Sequence, residues 1–241
     1  MVRVFSIFRA VPVIVIAVLA SCSSGDDRLS VRTGWLGSLG DYERASGEGI
    51  SGVFVLAATH PAAALESARL APVEITLAPG SDTGSIDAAD FDEIRAGLAA
   101  ILGEAIRPAV ALRDRAGPDT YELRIALTGL SIKLVDRRTI SPGREDFRFG
   151  FAGTALEAEL REGSTNLRRA VIVLPAAPAV GTDAAQGRDE VRWGDLPARF
   201  RSIAAAFRAD LETAKQAIAD VQTLPAPAGP EEKPKPESGT K

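Results

Sequence analysis

Two stretches of apolar alternation, Tyr121 to Leu134 and Phe147 to Leu160, each change phase at a glycine, and the changes coincide when the stretches are paired. In the first, Tyr121, Leu123, Ile125 and Leu127 alternate with Glu122, Arg124, Ala126 and Thr128. Past Gly129 the apolar positions become Leu130, Ile132 and Leu134. In the second, Phe147, Phe149 and Phe151 precede Gly153, and Leu156, Ala158 and Leu160 follow it. Successive strand residues point to opposite faces, so a phase change moves the apolar set to the other side. Antiparallel pairing around a turn in 135–146 sets Tyr121 opposite Leu160, Leu123 opposite Ala158 and Ile125 opposite Leu156. The same pairing sets Leu130 opposite Phe151, Ile132 opposite Phe149 and Leu134 opposite Phe147. A match on both sides of the break specifies register more strongly than either half alone.

The pattern therefore predicts a long central hairpin whose near half buries one face and whose far half buries the other. Three resolutions stay open. A bulge or strong twist at the glycines returns both halves to one core. Another part of the chain covers the second face. Or Leu130, Ile132, Leu134, Phe147, Phe149 and Phe151 form a contact surface for a partner or ligand. These six are the candidate partner-binding residues.

The remaining elements assemble around that hairpin. Val53 to Ala57 reads as a short strand, and Val73, Ile75 and Leu77 alternate as a half-buried one. Asp87 caps a helix carrying Asp90, Asp92 and Glu93 in its first turns, where acids complement the dipole. Phe91, Ile94, Leu98, Ile101, Leu102 and Ala105 form its apolar stripe, and Pro108 ends it. Ala170 to Leu174 is a continuous apolar run, a buried strand. Pro175 to Gly194 reads as a loop. Leu196, Phe200, Ile203, Ala204, Phe207 and Leu211 mark a last amphipathic helix to about Val221. The order β-α-β-β-β-α predicts an α+β fold, a largely antiparallel sheet with two amphipathic helices packed on it. The Gly-rich segment Thr33 to Tyr42, with Trp35 and Tyr42, reads as an irregular stretch laid on the domain.

The two ends of the chain address location. Arg3 and Arg9 precede an apolar run, Ala10 to Leu19, that is too short to span a ~30 Å hydrocarbon core. Length and flanks fit a secretory signal. Its end, Leu19-Ala20-Ser21-Cys22, resembles the bacterial lipobox. Cys22 is the only cysteine in the chain, so it cannot serve an internal disulfide, and lipidation accounts for it. Each buried lipid CH₂ adds about 0.8 kcal/mol, and two or more chains anchor stably. Residues 1–21 are therefore expected to be the signal peptide, 22–32 a lipidated tether, and 33–222 one domain. Ser23, rather than aspartate, follows the cysteine, which by resemblance to enteric sorting directs the protein to the outer membrane, facing the periplasm; the inner membrane is the alternative. Residues 223–241 hold five prolines among alternating charges and read as a disordered tail.

Composition narrows the partners. The net charge is −4, and loss of the signal removes two further positive charges. That argues against nucleic acid as a partner. The apolar fraction of 46% supports a core built by packing alone.

Several of these features occur together in a known family. Thr33-Gly34-Trp35-Leu36-Gly37 with Asp41-Tyr42, Ala71-Pro72-Val73, the helix start from Asp87 to Leu98, Ala155 to Leu160, and Trp193 ahead of the last helix all fall in its order. From Thr33 to Ala217 the chain resembles the bacterial lipoproteins of domain-of-unknown-function family 3313. The family's polar turn with aspartate is replaced here by Arg161-Glu162-Gly163. The resemblance implies an envelope lipoprotein and supplies no catalytic residues.

No catalytic, metal or cofactor constellation emerges from the residues. His60 is the only histidine and precedes a proline in a turn, which fits a solvated loop better than the base of a triad. One histidine and one lipidated cysteine leave zinc without ligands. The acids from Asp87 to Glu93 lack calcium-loop spacing, and helix capping explains them. Arg137, Arg138 and Arg144 crowd the hairpin tip; a solvated loop is the default reading, and contact with anionic envelope polymers is the alternative. The leading expectation is a non-catalytic, lipid-anchored envelope accessory protein binding an envelope protein or polymer. One alternative is a hydrolase or glycan-active enzyme using Glu157 and Glu159, which share one strand face; exposed sheet-face glutamates explain that pair better. A small apolar-ligand carrier, which needs an enclosed cavity between sheet and helices, is the other.

Overall fold

The computed structural model describes residues 32–49, 51–56, 62–82, 86–135, 143–151, 154–176 and 190–223. Cys22, His60, Arg137, Arg138 and nearly all of the signal, tether and tail segments lie outside that set. In chain order the strands are β1 (Arg32–Thr33), β2 (Gly37–Ser38), β3 (Tyr42–Ser46), β4 (Gly52–Leu56), β5 (Ser67–Leu70) and β6 (Glu74–Leu77). Helix α1 (Ala88–Ile106) follows, then β7 (Ala111–Leu112), β8 (Tyr121–Leu134), β9 (Phe147–Phe151), β10 (Thr154–Arg161), β11 (Arg168–Pro175), β12 (Glu190–Arg192) and helix α2 (Leu196–Thr223).

The spine of the sheet is β8. Along one edge run β5 and β6, both parallel to it, with Leu70 opposite Leu123 and Ile75 opposite Leu127. A parallel pair needs a long crossover, and α1 supplies it between β6 and β8. Along the other edge, β9 pairs antiparallel with the far half of β8 and β10 with the near half. Beyond β9 lies β12, and beyond β10 lie β11, β4 and β3, all antiparallel. The fold is thus α+β, a largely antiparallel sheet with two helices packed on it.

Both helices form where the apolar stripes place them. Asp87 has extended backbone, and its side chain accepts from the Ala89 amide at 3.1 Å. Ile94, Leu98, Leu102 and Ile106 of α1 are buried, and so are Phe200, Ala204, Phe207, Leu211 and Ala214 of α2. These side chains meet Leu123, Ile125, Leu127, Ala158 and Leu160 in one continuous core.

The hairpin departs from its expected geometry in one respect. Its far half has the expected register, Leu130 opposite Phe151, Ile132 opposite Phe149 and Leu134 opposite Phe147. Its near half is slipped by two residues, so that Leu123 faces Leu160, Ile125 faces Ala158 and Leu127 faces Leu156. An even slip keeps every side chain on its face, which is why the apolar pattern did not detect it.

The face change takes the first of the three open courses, a bulge at the glycine. Gly129 has φ +70°, the left-handed conformation that glycine adopts without penalty. One residue in that conformation resets the pleat, as in a bulge, and Leu130 points to the same side as Leu127. The proposed contact surface is therefore interior. Leu130, Ile132 and Phe149 are fully buried, Phe147 and Phe151 nearly so, and Leu134 packs partly buried against the same core. The chain's own helices occupy the face that a partner was expected to fill.

Candidate functional site

The side of the sheet away from the helices carries the densest polar chemistry. Leu156, Ala158 and Leu160 of β10 point inward, so Glu157 and Glu159 share the opposite face by strict alternation. They are not exposed there: Glu157 is 1% and Glu159 4% accessible. The segment from Arg32 to Tyr42 lies across them as a strap.

The strap's local structure explains how it binds carboxylates. β1 and β2 close a tight turn over Gly34-Trp35-Leu36. The turn leaves two successive amides without strand partners, and such amides make an anion-binding concavity. Those of Trp35 and Leu36 both donate to Glu157 Oε2, at 3.2 and 3.1 Å. Trp35 Nε1 donates to Glu74 Oε2 at 2.9 Å. Leu36 and Leu39 are buried against Phe54, Val171 and Val173, a small second core beneath the strap.

Three arginines neutralise the neighbouring carboxylate. Arg124 Nη1 donates to Glu159 at 2.8 Å and Nη2 to Glu74 at 3.3 Å, with its guanidinium 5.6 Å over the Trp35 ring. Arg161 grips both oxygens of Glu159, at 2.8 and 3.1 Å. Arg168 stands 3.8 Å from Glu159 and also donates to the carbonyls of Leu36 and Ser38. Tyr42 closes the strap: its hydroxyl donates to the Arg168 carbonyl at 2.9 Å and accepts from Arg168 Nε at 2.6 Å.

Glu157 and Glu159 do share one face, as the spacing implied, yet the expectation that they are exposed is corrected. The arginines around them went unrecognised in the sequence. The slipped register hid one, because Arg124 stands opposite Glu159 and not Glu157. Arg168 and the strap come from distant segments, which no local pattern announces.

A second buried pair closes the β10–β11 turn. Arg169 Nη2 donates to Glu162 at 2.6 Å, and both side chains are 5% accessible. Glu162 also accepts from the Ala63 amide and from Thr165. Burial raises the Glu162 carboxyl pKa, but the bonds from Thr165, Ala63 and Arg169 outweigh it and hold the net value below the usual 4.5. Tyr121, whose hydroxyl donates to the Ala63 carbonyl at 2.7 Å, is pushed up to about 12, mainly by burial.

Open cavities among the described residues include two on different faces of the fold. A groove of about 490 Å³ runs between the helices, floored by Ile101, Ala105, Ala205 and Ala209. A cavity of about 430 Å³ lies at the β9–β12 end of the sheet, lined by Glu145, Arg148, Arg192, Trp193, Gly194 and Asp195. Beside it, Arg144 stacks 4.5 Å over the Trp193 ring and bridges Asp90 and Glu93 of α1. Those two acids, expected to act on the helix dipole, thus also bind a hairpin-tip arginine. Between sheet and helices, where a carrier's enclosed cavity would sit, Leu98, Leu102, Phe207 and Leu211 are fully buried and occupy the space.

No protein-family model and no curated protein matches the chain. Among solved structures it is similar to a PelC dodecamer from Paraburkholderia phytofirmans, at 13% identity and TM-score 0.27, covering 66% of this chain and 95% of that one.

Proposed function

We propose that this chain is a lipid-anchored accessory protein of the bacterial cell envelope, held by Cys22 at the outer membrane and facing the periplasm. It binds a macromolecular partner and does not turn over a substrate. The strap is the observation that carries this reading. Twelve residues lie between Cys22 and Trp35, and even fully extended the thirteen steps reach no more than about 47 Å. An anchor at Cys22 is thereby coupled to the sheet through the Glu157 latch. The same latch engages the carboxylate pair on which acid–base chemistry would draw, and Arg124 and Arg161 hold Glu159 in charge-assisted bonds. That supports a structural use of the pair. The resemblance to a lipoprotein family points the same way.

The contact surface is reassigned, since the hairpin phenylalanines are core. Surfaces open to a partner among the described residues include the interhelical groove and the cavity beside Trp193. Membrane fractionation with mass spectrometry of the mature N-terminus tests the placement. The wild-type protein is expected in the outer-membrane fraction with an acylated Cys22, and Cys22→Ala in the aqueous fraction. A wild-type chain found in the aqueous fraction with a free thiol overturns the reading.

A further inference from the structure

We propose that the cavity at the β9–β12 end of the sheet binds an acidic oligosaccharide, clamping a sugar carboxylate between Arg148 and Arg192. The proposal deepens the envelope reading by naming the partner's chemistry.

Arg148 of β9 and Arg192 of β12 are direct cross-strand partners, and Lys133 of β8 lies on the other side of Arg148 in the same row. Like charges directly opposite one another destabilise a sheet. Lys133 is neutralised by Glu190. Among the described residues, Arg148 and Arg192 have no carboxylate partner: Arg148 Nη1 donates to the main-chain carbonyls of Glu145 and Phe147, at 2.8 and 2.9 Å. By contrast Arg124, Arg144, Arg161 and Arg169 each hold a carboxylate. Two adjacent guanidiniums, neither in a direct ion pair among the described residues and both lining a cavity of about 430 Å³ with Glu145 and Asp195, offer a bidentate seat for a carboxylate.

The rest of the lining selects the kind of anion. Trp193 provides an aromatic wall, immobilised by Arg144 at 4.5 Å on its ring and by the edge of Phe149 with centroids 5.6 Å apart. Such a wall suits the apolar C–H face of a sugar ring, and its rigidity lowers the entropic cost of binding. Glu145 and Asp195 stand in the same lining. They repel a multiply charged phosphate more than a single carboxylate, and they accept hydrogen bonds from sugar hydroxyls. A planar carboxylate matches a guanidinium bidentately. A uronate-type chain carries the carboxylate, apolar ring face and hydroxyls that match the arginine pair, the aromatic wall and the hydroxyl acceptors together.

The test uses the detergent-solubilised full chain and calorimetric titration with oligogalacturonate. Its methyl-esterified form, inorganic phosphate and phosphatidylglycerol vesicles run in parallel. Oligogalacturonate is expected to bind, the esterified chain, phosphate and vesicles at least tenfold more weakly, and Arg148→Gln/Arg192→Gln to lose at least tenfold in affinity. A second readout separates binding from folding: without ligand the double variant should melt at or above the wild-type temperature, because it removes the opposed charges. A variant that binds equally well, equal binding of the esterified chain, phosphate or vesicles, or no binding of oligogalacturonate overturns the proposal. Fractionation of the double variant keeps the two readings apart, since it stays in the membrane whether or not the cavity binds glycan.

Discussion

Glu162 gathers Arg169, Thr165 and the Ala63 amide around one buried carboxylate, and so ties the β10–β11 turn to the loop before β5. Its folded pKa lies below the unfolded one, so it adds stability above the unfolded value, and that stability is lost as pH falls through the folded value. Glu162→Gln is expected to lower the melting temperature at pH 7, with the difference from wild type closing as the pH falls below the usual carboxylate range. A pH series of thermal melts checks this. Arg169→Leu leaves the carboxylate buried and unpaired, and should cost about 3 kcal/mol in urea unfolding at neutral pH. Gly163 in the same turn has no room for a side chain, because a Cβ there collides with the carbonyl oxygens of Gly117 and Thr120.

In β8 a single left-handed residue decides which side half of the strand faces. An L-residue in that conformation costs roughly 1–2 kcal/mol, so Gly129→Ala should destabilise by about that much in equilibrium unfolding. The far half then carries its own consequence. Phe149 is fully buried, in ring contact with Trp193 and part of the one core that includes the helices, and Phe149→Ala should cost about 3–5 kcal/mol. Phe149→Asp is expected to unfold the protein and not to yield a folded, partner-deficient monomer, which circular dichroism distinguishes directly. The helices were legible because their cues are local. Asp87 before an apolar stripe placed the start of α1 at Ala88, and the apolar spacing from Leu196 placed α2. Short strands such as β5, β7 and β12 were not, because two to four residues of pairing leave no periodicity to read.

At the scale of the molecule the sheet is covered on both sides, by two helices on one and by the strap on part of the other. The strap's hold is polar and small in area, so it should be the first part to open. Glu157→Ala removes the acceptor of two strap amides and is expected to accelerate limited trypsin cleavage ahead of β3, while the helical signal is unchanged. Equal cleavage rates in variant and wild type would show that Leu36, Leu39 and Arg168 suffice to hold the strap.

The sequence alone determined what short-range regularity can encode: helix positions, strand faces, the α+β class, and the aromatic segment laid over the domain. It determined the alternation that puts Glu157 and Glu159 on one face, because strand geometry allows nothing else. Tertiary structure decided what covers each face. The phase change marked Gly129 but left open whether a bulge there returned both halves to one core, and an even-numbered slip preserves the apolar pattern altogether. The counterions of Glu159 and the neighbours of Arg148 come from strands brought together only when the sheet assembles, and long-range pairing leaves no trace in any local window.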